Sequence, residues 1–234
     1  EWLAFTYEKL SAQLSSFPEI LRLGNTDKIP HRDTFRKFSK RTPKETIDKV
    51  IGEAARLLCG PDVVVAVDAT GFSESNASRH YVKRLKQFGT EDSVVRDYAK
   101  ATLVGDVKSK AIIACDVSPS RVHDSKRFEP VLRLAKNTKI GITRILADKG
   151  YDSEFSHKIA REIFGPEIDT QIPLRVFETT QRQRTIYNRG NLRRNMKRRF
   201  DKAKYNFRSI IETINSMLKR KMGDMVRGRN IKSV

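Results

Sequence analysis

The chain has 234 residues, with 47 Lys and Arg against 28 Asp and Glu, a formal charge of +19 and an isoelectric point near 10.1. That length suits one large domain, or one domain with a small appendage, and 38% hydrophobic residues can bury a sizeable core. No run approaches the length of an apolar membrane span, no signal peptide opens the chain, and Cys59 and Cys115 form no Cys/His cluster, which argues against a spanning helix and a zinc site.

A field this positive attracts polyanions, of which nucleic acid is the commonest, although a structural RNA binder gives the same bulk signal. The charge is uneven: residues 175–234 hold 18 Lys and Arg against 4 Asp and Glu, and the preceding 174 residues hold 29 against 24. The cysteines sit in apolar settings (RLLCG, AIIACD), which fits a reducing cytoplasm. The chain opens on Glu1 and stops at IKSV without a closing element, as a fragment or trimmed sequence would, and residues 223–234 read as a basic tail.

Residues 1–60 read as a helical region. WLAFTYEKLSAQL and TPKETIDKVIGEAARLL place apolar residues at three-to-four spacing, with Thr42 as N-cap and Pro43 in the first turn. Between them, IPHRDTFRKFSKR suits equally a helix touching DNA phosphates and the solvated face of a bundle. VVVAVDATG, Val63 to Gly71, is a β-branched run ending in a turn and predicts a buried strand. DYAKATLVGD and KAIIACDVS predict a hairpin, and Asp124 is placed to cap the helix DSKRFEPVLRLAKN. TRILADKGYDS predicts a short strand ending in Asp148, SEFSHKIAREIFG a helix and TQIPLRV a fifth strand. Asn188 to Lys204 is a very basic helical stretch, and YNFRSIIETINSMLK, Tyr205 to Lys219, is an amphipathic helix seated by Phe207, Ile210, Ile211, Ile214 and Leu218.

Three strands with short links, followed by helix-linked strands, predict an α/β fold: a mixed sheet with helices on its faces, in the order of the ribonuclease H-like fold, over residues 61–222. Asp68 and Asp148 are expected at strand C-terminal ends, where open α/β sheets place their ligands, with Glu212 reaching over from the last helix. Clustered carboxylates that stay ionised usually hold divalent cations, and hard oxygen donors suit Mg²⁺ or Mn²⁺. Two such ions roughly 4 Å apart can serve phosphodiester displacement. Against this stands the plain reading of each residue: an Asp closing a strand is often a turn former or cap, and Arg208 with Glu212 can be a simple i,i+4 surface pair.

VVVAVDATGF, ILADKGYDS and Tyr205-x2-Arg208-x3-Glu212-x6-Lys219 together resemble the DDE transposases of bacterial and archaeal insertion sequences, in particular groups four and five. The last pattern matches that family's Tyr-Arg-Glu-Lys signature at all four positions, and RDYAKATLVGD and SRVHDSKRFEPVL also resemble family stretches. The likeness runs from about Val63 to Lys219; the first 60 residues match only loosely. The resemblance implies that Asp68, Asp148 and Glu212 are the catalytic, metal-binding triad, with Mg²⁺ or Mn²⁺, two ions, as cofactor. It implies that Tyr205, Arg208 and Lys219 contact DNA. It further implies terminal inverted repeats and target DNA as partners, a homodimer across two ends, and a prokaryotic, nucleoid-associated location in the cytoplasm.

From the residues themselves, Arg96 and Lys100 around Tyr98 are candidate DNA contacts or a solvated strand end. Arg193, Arg194, Lys197 and Arg198 in NLRRNMKRRFDKAK suit a DNA backbone or a solvated face. His80 and His157 have no evident partner. Two rivals stay open: another ribonuclease H-like nuclease of resolvase type, against which the Tyr-Arg-Glu-Lys stripe argues, and a decayed transposase copy that binds DNA without cutting it.

Overall fold

The computed structural model describes residues 11–12, 14–16, 18–23, 25–26, 28–74, 98–119, 122–175, 191–223 and 225–226. Ahead of the sheet lie the helices α1 (Pro18–Leu23), α2 (Arg32–Arg41) and α3 (Lys44–Leu58). Helix α2 buries no residue, whereas α3 buries Gly52 and Ala55 and lies against β3. Its N-cap is Pro43, one residue later than the sequence predicts. Thr42 instead closes α2, where its hydroxyl donates to the Phe38 carbonyl at 2.9 Å.

The strands are β1 (Val63–Glu74), β2 (Tyr98–Asp106), β3 (Ile112–Pro119), β4 (Ile142–Ala147) and β5 (Asp169–Gln171). Their order in the sheet is β3-β2-β1-β4-β5, with a two-residue β6 (Met225–Val226) against the far end of β1. The first three strands run antiparallel to their neighbours, and β1, β4 and β5 run parallel. This is the mixed, ribonuclease H-like arrangement expected from the element order. Strand β5 is shorter than the predicted TQIPLRV; after Ile172, Pro173 brings no N–H to an edge ladder.

Two apolar layers sandwich the sheet. Val63, Val65 and Val67 point to one side, where α3, α4 (Ser125–Asn137) and α5 (Glu154–Phe164) bury Phe128, Leu132, Ile159 and Ile163. Ala66, Leu103 and Leu146 point to the other, where they meet Ile211 and Ile214 of α8 (Ser209–Met222). The period-two alternation of a strand produces this split. Gly105 eases the second contact: a Cβ there would stand 2.5 Å from Ile214 Cδ1 and 3.0 Å from Ile211 Cδ1, so a larger residue would force these side-chain ends to shift.

The segment ahead of α8 is seated by acids at the start of α5. Helix α6 (Asn191–Arg199) is followed by the short α7 (Lys202–Asn206). The Glu154 carboxylate accepts the backbone N–H groups of Leu192 and Arg193, each at 3.0 Å, and so caps α6 from outside. Arg193 donates through Nε to Asp152 Oδ1 at 2.8 Å and through Nη2 to Oδ2. The Asp152 side chain is fully buried and that of Arg193 nearly so. The Asp201 side chain caps α7, and its backbone N–H reaches Gln171 Oε1 at 3.0 Å.

His157, for which the sequence shows no partner, is buried with Nδ1 2.8 Å from Thr170 Oγ1. Burial, and then the positive charge of Arg161, push its pKa down from 6.5 to about 4. The unfolded imidazole takes a proton below pH 6.5, whereas the folded one stays neutral down to about pH 4. Acidification through this window therefore favours unfolding, and the contribution is intact only above it.

Two outcomes are expected. Thermal melting of the wild type falls between pH 6.5 and 4, and His157→Asn, which keeps a polar group facing Thr170, reduces the fall in that window; equal falls in both proteins would remove His157 as the source. Arg193→Ala leaves the buried Asp152 without its counter-charge, with only the Arg175 N–H at 2.8 Å on its carboxylate, and should cost about 3–5 kcal/mol in urea unfolding. A double variant Arg193→Met/Asp152→Leu should recover much of that loss, and a negligible effect of the single change would show the pair to be solvated.

Candidate active site

Val67 pairs with Ala147 in the parallel β1–β4 ladder, so Asp68 and Asp148 are the next residues on the two neighbouring chains. Asp148 has extended backbone (φ −69, ψ 160), which carries the strand direction one residue further. Asp68 shares parity with Ala66 and Asp148 with Leu146, which places both on the α8 side of the sheet. Strand β4 ends here, but β1 does not. The sequence expects Asp68 to close its strand; instead β1 runs on to Glu74, because β2 pairs antiparallel with it from Val65 to Ser73. Asp68 thus marks the end of the parallel pairing and not of the strand.

Asp148 also does what a strand-closing aspartate often does: it accepts the Lys149 N–H at 2.7 Å and caps the short 3-10 turn Lys149–Tyr151. Asp68 accepts the Asn215 amide at 3.1 Å. Burial raises the pKa of Asp68, and the charges of Asp148 and Glu212 raise it further, while the Ala69 N–H and Arg208 oppose them. Asp148 and Glu212 are therefore both within electrostatic reach of Asp68.

Glu212 does not turn toward the aspartates. Its side chain is 59% exposed and accepts Arg208 Nη2 at 2.5 Å, the i,i+4 pair that stood as the alternative reading. Among the described residues no three His, Cys, Asp or Glu side chains are grouped closely enough to hold a metal ion. The donor set itself, two adjacent aspartates and a nearby glutamate, is all hard oxygen, the donor type that suits Mg²⁺ or Mn²⁺. Arg208 is the hub of this corner. Burial opposes its charge, but Tyr205, Glu212, Asp148 and Asp68 outweigh burial and raise its pKa.

The predicted single helix from Tyr205 to Lys219 is two. Tyr205 belongs to α7, residues 207–208 form a turn, and α8 begins at Ser209. The Arg208 N–H bonds the Tyr205 carbonyl at 2.8 Å, so the guanidinium still lies 5.9 Å from the Tyr205 ring. Phe207, expected to seat the helix, is 58% exposed because the turn points it outward. Ile211 and Ile214 carry the packing, with Ile210 and Leu218 half-buried. Lys219 sits at the other end of α8, its Nζ 5.6 Å from the Phe72 ring centre, beside an open cleft of about 520 Å³ lined by Thr70, Asn215, Ser216, Lys219, Arg220 and Gly223.

The outlying cations divide. Arg194 and Arg198 are exposed on α6; Arg96 and the Lys197 side chain lie outside the described residues, as does His80. Two candidates for DNA contact are turned inward. Arg193 is committed to Asp152, and Lys100, with 13% of its side chain exposed, donates to the Val122 carbonyl and Asp124 Oδ1, both at 2.8 Å. The same bond explains why Asp124 makes no cap at α4: its carboxylate is turned to Lys100. The sequence reading missed Asn215 and Asp152. The available signal for Asn215 was a polar residue inside the apolar stripe Ile211, Ile214, Leu218.

Among the described residues no helix is long and apolar enough to cross a membrane. No curated protein matches the chain. The family described as the transposase DDE domain matches residues 60–234, well over half of the sequence and the whole of the sheet with its two aspartates and α8. The chain belongs to the DDE transposase family.

Proposed function

We propose that the protein cuts DNA at insertion-sequence ends in a metal-dependent reaction and joins the freed 3′-OH to target DNA. What supports this reading is the β1–β4 register: it sets Asp68 beside Asp148 on the face that α8 covers. In this reading residues 61–222 carry the chemistry, residues 1–60 bind DNA, and the chain acts as a homodimer across two terminal inverted repeats, in the manner of groups four and five.

Asp68, Asp148 and Glu212 would hold two Mg²⁺ or Mn²⁺ ions, which when bound supply charge stabilisation to the attacking and leaving oxygens. The protein's own part is positioning. The two strands fix the aspartates against each other, and α8 carries Glu212 above them. Arg208 offers a bidentate fork to a phosphate, and taking that phosphate frees Glu212 from its present partner. Tyr205 presents a ring beside Arg208, and Lys219 a point charge at the far end of the helix. Arg194, Lys197 and Arg198 would extend the contact along the DNA backbone, with Arg96 a further candidate.

Three experiments test the reading. Glu212→Gln should abolish Mg²⁺-dependent cleavage of an end-containing duplex while leaving DNA binding within about twofold, since one hydrogen-bond acceptor remains for Arg208; full activity would defeat the assignment. With a pre-cut end, the wild type should join the 3′-OH to target, and cleavage without joining would favour the resolvase-type nuclease. Lys219→Ala should weaken end binding and lower the slope of log K against log salt by about 1; an unchanged slope would remove Lys219 from the phosphate contacts.

A further inference from the structure

We infer that Asn215 is a positioning residue for Asp68, orienting its carboxylate for divalent-cation binding; this rests on the metal-dependent reading above. Asn215 is 8% exposed, on the α8 face that otherwise presents Ile211, Ile214 and Leu218 to the sheet. Its Nδ2 donates to Asp68 Oδ2 at 3.1 Å. Its Oδ1 is buried without a hydrogen-bond partner among the described residues. A buried amide with half its capacity unused is a poor choice for holding a helix on a sheet, because the orphaned acceptor has lost its water. Leucine has nearly the same size and would pack among these isoleucines with no such penalty. The residue that stands here therefore serves the carboxylate and not the core.

The bond also links two parts of the site. Asn215 lies one turn after Glu212 on the same helix, and Gly105 lets that helix approach β2 closely enough for a side chain as short as asparagine to span the gap to β1. Helix α8 thus carries Glu212 itself and sets the orientation of Asp68 through Asn215. Groups that hold a metal-binding carboxylate from behind commonly change metal affinity more than fold stability.

The test measures Mn²⁺ binding to the full chain by calorimetry, with thermal melting in metal-free buffer alongside and Asp68→Asn as control. Asn215→Leu should weaken Mn²⁺ binding about tenfold or more, while its metal-free melting temperature is held or raised. Asn215→Ala serves as the second variant and should lose affinity to the same extent. Wild-type Mn²⁺ affinity in either variant overturns the inference, as does a loss of affinity that only follows a lowered melting temperature in both. If Asp68→Asn binds Mn²⁺ as the wild type does, the metal-dependent reading itself fails, and that outcome is distinct from a failure of Asn215 alone.

Discussion

The parallel pairing of β1 with β4 is the constraint on which the rest of the site depends. It ends at Val67 and Ala147, and the next residue on each chain is an aspartate. Two like charges side by side are unfavourable; burial is the main reason the Asp68 pKa is raised, and the charge of Asp148 adds to it. The backbone ladder and the buried valines beneath it hold the two together. Val65, Val67, Ile145 and Ala147 are fully buried, and burying such side chains stabilises by roughly 1.5–3 kcal/mol for each of the larger ones, enough to oppose the repulsion of a half-solvated pair. A core built for packing thus delivers a carboxylate pair that electrostatics alone would push apart.

Arg208 tempers the same repulsion from the other side. It stands among Tyr205, Glu212, Asp148 and Asp68, and its closest partner is Glu212. In this form the single guanidinium offsets only part of the charge of the three carboxylates around it. An arginine in that position and a bound divalent cation compete for the same carboxylates, so the affinity for one depends on what occupies the other. DNA phosphate is the natural third party in a family whose members act on DNA. Under the proposed function, charge at this corner would be shared among protein, cation and nucleic acid.

Much of the fold was legible in the sequence because it rests on local patterns. The β-branched run at Val63 and the apolar hairpin are read from neighbours in the chain. The mixed character of the sheet followed from link lengths, whereas the strand order β3-β2-β1-β4-β5 came from the structure. What escaped reading depends on residues far apart in sequence. Whether Asp68 closes its strand is decided by β2, which pairs along its whole length. Asp124 looks like a helix cap until Lys100, 24 residues earlier, takes its carboxylate. Arg193 looks like part of a basic face until Asp152, 41 residues away, buries it. The signature Tyr205-Arg208-Glu212-Lys219 was visible as spacing. The break between α7 and α8 was not, because Phe207 reads as an apolar anchor in a continuous helix. Asn215 could be seen as an oddity in an apolar stripe, but its meaning needed the partner 147 residues away.

The ladder between β1 and β4 has a consequence for how such a gene can change. Side chains alternate across a strand, so adding or removing one codon between Ile142 and Ala147 would turn Asp148 to the opposite layer, among Val67 and Tyr151, or else slip the whole strand and expose its valine-facing side. Substitutions that keep size and parity leave this corner standing; changes of length do not. Six residues of β4 therefore form a stretch in which the reading frame may be conserved and the protein still lost, while the hairpin turn at residues 107–111, whose ends are fixed by the Asp106–Ala111 hydrogen bond, offers a place where length is far less tightly bound to chemistry.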